Sequence, residues 1–259
     1  MAGLSLLNKI LAVWKRQAFR QKLYRNSQQI GITQKPTVVF APHQDDETLG
    51  CGGLIALKCQ QKVPVWVVFL TDGRACYTGA PGEIAMSTEA LIQLRQQEAK
   101  AALQSLGVSA NNIIFLKHQD SQLGLLADSQ RQAAIAEIQQ LLDRIQPEEV
   151  YVPYFNDMHG DHIETNRLVK TALDANNFGG DVWQYLVWSL WRYDYLDDLV
   201  KNRFANLYSV GIAPVRGQKN EALKAYQSQY VPVIQNFTAL PKTFMRFFDY
   251  PHELFVKST

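Results

Sequence analysis

The stretch from residue 37 to residue 53 constrains the fold of this chain more than any other. An apolar, β-branched run, Thr37–Phe40, is followed by a polar loop and then by three glycines within four residues, Gly50–Gly53. This order predicts a buried strand that ends in a loop, and a helix that the loop opens. In open α/β sheets, loops at the carboxyl ends of strands usually carry the functional sites. The loop holds one imidazole and three carboxylates: His43, Asp45, Asp46 and Glu47.

A second loop of this kind follows a strand-like run at Val150–Pro153, and it contains Asp157, His159, Asp161 and His162. Burying so many carboxylates requires a cation to neutralise them. His43 and Asp46, with a third ligand from the second loop, favour a divalent metal of the zinc type that keeps one position open for water. The alternative is that these side chains only cap helices and hydrogen-bond the loops.

The rest of the chain alternates short apolar runs with helical patterns. Runs at 65–70 and 113–116 predict strands, whereas 87–106 and 130–145 have helical periodicity. This alternation is typical of right-handed βαβ units. We therefore predict an α/β, Rossmann-like fold in one domain over residues 36–259, with a mainly parallel sheet flanked by helices on both faces.

The last third of the chain is rich in aromatic residues. The segment 183–191 alternates as a strand does, and 219–229 has the pattern of a further helix. The aromatic side chains of 181–208 either form the edge of the core sheet or supply a platform on which sugar rings stack.

The first 35 residues differ from the rest in charge. They hold seven Lys or Arg residues and no acidic residue, whereas the whole chain has a net charge of +2. Apolar residues from Leu7 to Trp14 recur at helical spacing, so residues 4–25 are predicted to form a basic amphipathic helix within a separate segment, 1–35. The pattern lacks the apolar core and cleavage site of a signal peptide. The helix either docks on the domain, which we favour, or makes peripheral contact with an anionic membrane.

Composition excludes several classes of protein. No run of 18 or more apolar residues occurs, so no membrane span is predicted. The three cysteines lack metal-type spacing and indicate reduced thiols in a cytoplasmic protein, and Cys51 is expected in the core. Nucleic-acid binding is not expected, because the basic charge lies in one terminal segment without aromatic RNA motifs.

The two polar loops resemble the motifs of the zinc-dependent de-N-acetylases of the LmbE-like, or PIG-L, superfamily, which remove acetyl groups from N-acetylglucosamine conjugates. The family motif Ala-His-Pro-Asp-Asp-Glu corresponds to Pro42–Glu47, with Gln44 in place of the usual proline. The motif His-x-Asp-His is intact at His159–His162, and Arg95–Val108 resembles the family's middle helix. The resemblance extends over residues 36–175.

This resemblance implies a hydrolase that uses Zn²⁺, or another divalent transition metal such as Fe²⁺, to remove an acetyl group from the amide nitrogen of an N-acetylglucosamine-type conjugate. The expected metal ligands are His43, Asp46 and His162. The aspartate corresponding to Asp45 is the general base in that family.

Five further residues receive roles. A protonated His159, oriented by Asp161 or by Asp157, would stabilise the oxyanion. Arg95 and Asp120 are expected to contact sugar hydroxyls, as the corresponding family residues do. The alternative for Arg95 is an ion pair with Glu98 on the same helix.

Other functions remain open at this stage. A metal-dependent amidase that acts on a non-sugar acyl-amine would use the same loops, and so would a non-catalytic, metal-bearing glycan-binding protein. A nucleotide-binding transferase is disfavoured, because the first loop lacks Gly-x-Gly-x-x-Gly order and its carboxylates would repel phosphate. The expected partner is a small-molecule or glycolipid sugar conjugate, and the sequence leaves its identity and the oligomeric state open.

Overall fold

Residues 6–80, 82, 86–231 and 237–258 are described by a computed structural model, and they form an eight-stranded sheet with helices on both faces. The strands are β1 (Gln28–Ile30), β2 (Thr37–Ala41), β3 (Val65–Thr71), β4 (Ile113–His118), β5 (Glu149–Pro153), β6 (Asp181–Tyr185), β7 (Leu207–Gly211) and β8 (His252–Lys257). The helices are α1 (Leu6–Asn26), α2 (Asp46–Gln60), α3 (Thr88–Ser105), α4 (Asp128–Ile145), α5 (Gly160–Ala175), α6 (Trp188–Trp191), α7 (Asp197–Lys201), α8 (Arg216–Leu223), α9 (Gln227–Tyr230) and α10 (Lys242–Phe247).

The sheet has the strand order β1-β7-β8-β6-β5-β2-β3-β4. Adjacent strands of the sheet run parallel to each other, except that β8 is antiparallel to both β6 and β7. The predicted mainly parallel α/β fold is therefore confirmed, and β8 is the one antiparallel strand among the described residues.

Alternate residues of the central strands face opposite sides of the sheet. Val39 and Val67 belong to a core shared with α2 and α3, whereas Val38 and Val68 belong to a second core shared with α4 and α5. Strands that are buried on both faces contain continuous apolar runs rather than alternation, and this explains the sequence pattern of β2 and β3. Cys51 lies in the first core with no exposed surface, as expected.

The glycines of α2 let this helix approach its neighbours closely. A Cβ atom at Gly53 would lie 2.5 Å from Cγ2 of Ile212, and one at Gly52 would lie 3.2 Å from Cγ of Lys219. The Glu253 carboxylate accepts the backbone N–H groups of Gly53 and Leu54 at 2.7 and 2.8 Å. These contacts fix the position of α2, whose first turn carries the polar loop.

Two predicted elements are shorter than expected. The strand predicted over 183–191 ends at Tyr185, because the Asp157 carboxylate binds the backbone N–H groups of Val187, Trp188 and Ser189 and turns the chain into α6. The helix predicted over 219–229 is divided into α8 and α9 by a turn at Lys224–Tyr226.

The basic N-terminal helix is present as α1, and its predicted residues 4 and 5 lie outside the described part of the chain. Leu23 is completely buried, and the guanidinium group of Arg20 donates to the backbone carbonyl of Phe247. The C-terminal half of α1 is thus docked on the domain. No helix among the described residues combines the length and apolar character needed to cross a bilayer.

Candidate active site

The two polar loops meet at one edge of the sheet. β2 and β5 are parallel neighbours, with Thr37 opposite Glu149 and Val39 opposite Tyr151. Because their carboxyl ends lie side by side, the loop after β2 and the loop after β5 face each other.

The Asp46 carboxylate lies between two imidazoles. Its Oδ2 atom is 3.1 Å from Nδ1 of His43 and 3.1 Å from Nε2 of His162. Asp46 and His162 are almost completely buried, and His43 is half-buried. Although burial opposes ionisation, His162 and His43 hold the pKa of Asp46 well below its usual range.

The orientation of His162 suits a metal ligand. Its Nδ1 atom is 2.8 Å from Oδ2 of Asp157, so in the neutral form of the ring Nδ1 carries the proton that this carboxylate accepts and Nε2 carries the lone pair. This Nε2 atom is buried and has no hydrogen-bond partner. A buried, unpartnered nitrogen lone pair that faces a carboxylate fits a divalent cation of the zinc type.

The second nitrogen of His43 also faces carboxylates. Nε2 lies 3.2 Å from Oδ1 of Asp120 and 3.2 Å from Oδ2 of Asp161. Burial alone would lower the pKa of His43, but the carboxylates, Asp120 foremost, raise it well above its usual value. In the same way, Asp46 and Asp157 outweigh burial and raise the pKa of His162 to about 9. A site that attracts protons so strongly also attracts a cation, whose binding displaces those protons.

Two other groups of side chains could contribute ligands. His43, His159 and His162 bring one candidate atom each within 4.8 Å of one another, and so do His43, Asp120 and Asp161. In the set His43, Asp46 and His162, both imidazoles lie 3.1 Å from the same Asp46 oxygen and the Nε2 atom of His162 has no hydrogen-bond partner, and this set stays our prediction.

Asp45 has a strained backbone and an available carboxylate. Its φ angle is 134°, a value that non-glycine residues rarely adopt, and its side chain makes no capping bond to α2. Burial, followed by repulsion from Asp46, raises the pKa of this carboxyl group well above its usual value. The nearest cation is Arg95, whose Nη2 atom lies 3.6 Å from Oδ2 of Asp45. A buried carboxylate with a raised pKa at a pocket is suited to general-base chemistry.

Glu47 holds Asp45 from the other side. Its Oε2 atom accepts the backbone N–H of Asp45 at 3.1 Å, and its Oε1 atom accepts the hydroxyls of Thr48 and Tyr226. Burial raises the pKa of Glu47 to about 7. The sequence patterns assign Tyr226 no contact with the site.

His159 differs from the prediction in its charge. Its Nδ1 atom accepts the backbone N–H of Asp161 at 3.2 Å, so a neutral ring carries its proton on Nε2. Burial, together with His43 and His162, lowers the pKa of His159 to about 4. The described structure gives this ring no bond to either predicted orienting carboxylate, because Asp161 binds Ser121 and Leu123 while Asp157 binds His162. The ring is therefore oriented by a backbone amide, and a neutral imidazole can still donate from Nε2.

Arg95 and Asp120 both line the pocket, but several of their hydrogen-bonding atoms already have partners in the protein. Arg95 donates to the carbonyls of Gly73 and Gln44 at 2.9 and 2.6 Å, and it makes no ion pair with Glu98, which binds Ser228 instead. Asp120 accepts the backbone N–H of Ala75 at 2.8 Å and contacts His43. Both residues therefore support the polar loops, and their predicted contacts with sugar remain a prediction.

Gln44 occupies the position of the usual proline. Its side-chain amide donates to the carbonyl of Thr71 at 2.8 Å, and its own carbonyl accepts from Arg95. These two bonds restrain the loop where the family motif has the fixed φ angle of proline.

The pocket has a charged side and an apolar side within a cavity of about 160 Å³. The charged side is lined by His43, Asp45, Asp46, Arg95, Asp120 and His159. The apolar side is lined by Leu49, Val187, Trp188, Leu240 and Phe244. The rings of Trp188 and Phe244 pack with their centroids 4.7 Å apart. Among the described aromatic side chains of the segment 181–208, Trp188 alone lines this pocket, whereas Trp183 and Tyr185 lie in the core.

The fold and the site define an α/β protein with a histidine–aspartate centre at the carboxyl edge of a parallel sheet. The family model described as GlcNAc-PI de-N-acetylase, PIG-L, matches residues 38–173. Since this segment is more than half of the chain, the chain belongs to the PIG-L family.

Solved structures share the fold. A triple mutant of a deacetylase from teicoplanin biosynthesis has a TM-score of 0.63 at 18% identity, covering 86% of this chain and 98% of that chain. N,N'-diacetylchitobiose deacetylase from Pyrococcus horikoshii has a TM-score of 0.55 at 21% identity, covering 89% and 82%. The 4-carboxy-2-hydroxymuconate hydratase from Pseudomonas putida has a TM-score of 0.60 at 18% identity, covering 83% and 82%. At these identities the likeness concerns the fold, which serves two classes of reaction.

Proposed function

We propose that this protein is a metal-dependent hydrolase that removes the acetyl group from the amide nitrogen of an N-acetylglucosamine-type conjugate. The observation that carries the proposal is that the buried Asp45 carboxylate, which makes no capping bond to α2, lies at the same pocket as the cluster of His43, Asp46 and His162. The family description and the deacetylases among the solved structures support it. Three unpaired thiols agree with a cytoplasmic location.

His43, Asp46 and His162 would hold Zn²⁺, or Fe²⁺ as the alternative. When bound, such an ion supplies Lewis-acid polarisation of the amide carbonyl and activation of water.

The remaining steps belong to residues of this chain. Asp45 accepts the proton of the attacking water, and its raised pKa suits the later return of that proton to the leaving amine nitrogen. Neutral His159 donates from Nε2 to the carbonyl oxygen as negative charge develops there. Arg95 holds the Gln44–Asp45 backbone in place during both steps.

The apolar side of the pocket favours a substrate with a hydrophobic face. A pyranose ring presents C–H groups that pack against an indole, and Trp188 offers such a surface in the same pocket as the charged residues. Arg95 and Asp120, at the charged side, are the proposed contacts for sugar hydroxyls.

The test is amine release from a panel of N-acetylglucosamine conjugates and non-sugar N-acetyl amines, with and without chelator. We expect release from sugar conjugates only, and we expect the chelator to abolish it. Asp45→Asn should keep its metal and lose about 10²–10⁴-fold in turnover, the usual range for a general base. His162→Ala should lose metal and activity together.

Two results would contradict the proposal. Amine release from non-sugar amides alone would overturn the substrate class. An Asp45→Asn protein with full metal occupancy and normal turnover would remove Asp45 from the mechanism. A hydratase is the second candidate because one structure of the same fold has that activity, and water addition to an unsaturated tricarboxylic acid, measured in parallel, separates the two.

A further inference from the structure

Helix α1 is attached to the domain by one face. Arg16 donates from Nε to the carbonyl of Trp191 at 3.0 Å, and its guanidinium carbon lies 3.9 Å from the centroid of the Trp191 ring. Arg20 stacks 4.2 Å from the centroid of the Tyr250 ring, and Leu23 is buried. Residues 16, 20 and 23 are spaced by four and three positions, so they share one side of the helix.

The opposite side of α1 is apolar and faces outward. Leu11, Trp14 and Ala18 share that side by their spacing, and Leu11 and Trp14 are 46% and 72% exposed. Val13, on the flank of α1 nearer to Arg20, is 45% exposed. The other exposed large apolar residues among those described lie singly on separate elements, as is normal for a soluble protein. The exposed apolar cluster of α1, which consists of Leu11, Trp14 and Ala18, is therefore a candidate binding surface.

The charge around this cluster identifies the partner's chemistry. The first 35 residues contain seven Lys or Arg residues and no Asp or Glu, which leaves the rest of the chain with a net charge of −5. Lys15, Lys22 and Arg25 are exposed on α1 near the apolar side, and Nζ of Lys22 also lies 5.6 Å from the centroid of the Phe204 ring. A second copy docking here by two-fold symmetry would bring identical positive surfaces together, which disfavours a dimer through this face.

We propose that α1 binds an anionic membrane surface. Leu11 and Trp14 enter the boundary between headgroups and acyl chains, and Lys15, Lys22 and Arg25 lie over anionic headgroups. The side that carries Arg16, Arg20 and Leu23 stays on the domain, so the helix joins the domain to the lipid surface without unfolding. This association is independent of the reaction proposed above.

The test uses the full chain and sedimentation with vesicles of phosphatidylcholine alone or of phosphatidylcholine mixed with phosphatidylglycerol. Binding is expected only to the mixed vesicles, and Lys22→Gln together with Arg25→Gln should weaken it about 25-fold, since each charge contributes about fivefold. Quenching of tryptophan emission by brominated acyl chains should disappear in Trp14→Phe and persist in the control Trp66→Phe. Circular dichroism and thermal unfolding establish that each variant is folded.

Three outcomes would overturn the proposal. These are equal binding to both vesicle types, binding that the charge substitutions leave unchanged, and quenching that survives Trp14→Phe. A dimer in analytical ultracentrifugation, with no vesicle binding and with dissociation by Trp14→Ala, would mean that a second copy covers this face.

Discussion

Replacing Asp157 by Asn should invert the tautomer of His162 and thereby weaken metal binding. One carboxylate oxygen, Oδ1, accepts three donors, the N–H groups of Val187 and Ser189 and the hydroxyl of Ser189. The amide oxygen of Asn therefore remains on that side. The amide nitrogen then faces Nδ1 of His162 and the N–H of Trp188, which lie 2.8 and 3.1 Å from Oδ2 in the native protein. Two donors thus lose a charged acceptor.

The magnitude follows from these two contacts. Each hydrogen bond to a charged group contributes about 1.5–3 kcal/mol, so the metal-free variant should lose about 3–6 kcal/mol of unfolding free energy before the loop relaxes. His162 can relieve the conflict by moving its proton from Nδ1 to Nε2, which removes the lone pair from the expected ligand atom. Zinc affinity should fall by about 10–100-fold, the usual effect of losing such an orienting carboxylate.

The assay is zinc competition with a chromogenic chelator, combined with guanidinium unfolding of the metal-free protein. Ser189→Ala is the matched control, because it removes one donor to the same carboxylate and leaves the bond to His162 in place. The control should lose stability and keep its zinc affinity. A folded Asp157→Asn protein that binds zinc as tightly as the native protein would refute the reasoning, and so would an equal loss of affinity in the control.

Two further predictions concern stability. Gly53→Ala should lower the free energy of unfolding by denaturant by about 1–3 kcal/mol, because the new Cβ atom would lie 2.5 Å from Ile212. The control Gly217→Ala, whose Cβ would have no neighbour within 4 Å, should not lower it, and equal effects would contradict the packing argument. Burial, followed by Arg20, lowers the pKa of His252 to about 4, so below its usual 6.5 the unfolded chain binds a proton that the folded chain rejects. The free energy of unfolding should therefore be unaffected by His252 above pH 6.5 and should decrease as the pH falls from 6.5 toward 4. The decrease should be shallower in His252→Gln, and parallel pH profiles of the two proteins would contradict the argument.

The sequence predicted the sheet and the meeting of the two polar loops because both depend on local order. A buried run followed by a polar loop places His43 and His162 at strand ends, and parallel strands bring such ends to one edge. The close contacts of Asp46 with both rings are consistent with that expectation.

The details that the sequence could not supply depend on contacts between distant elements. The strand predicted over 183–191 had a suitable alternation, but Asp157, thirty residues earlier in the chain, binds its backbone and ends it. No local pattern indicates that burial and the two neighbouring imidazoles lower the pKa of His159, so its protonated form stays a prediction. The hydroxyl of Tyr226 donates a hydrogen bond to Glu47, which lies 179 residues earlier in the chain, and no local sequence pattern predicts such a contact.

Apart from Leu49, the two sides of the pocket come from different parts of the chain. The charged side belongs to residues 43–159, inside the segment that the family model matches, whereas Val187, Trp188, Leu240 and Phe244 lie beyond it. Substitutions of these four residues can therefore change which acylated amine fits without touching the proposed proton-transfer groups. Evolution of specificity in such a chain is separable from evolution of reactivity, and a variant in which only Val187, Trp188, Leu240 and Phe244 are exchanged for the residues of a donor should acquire the substrate range of that donor, whereas Ser189 and Tyr226, which bond Asp157 and Glu47, are kept.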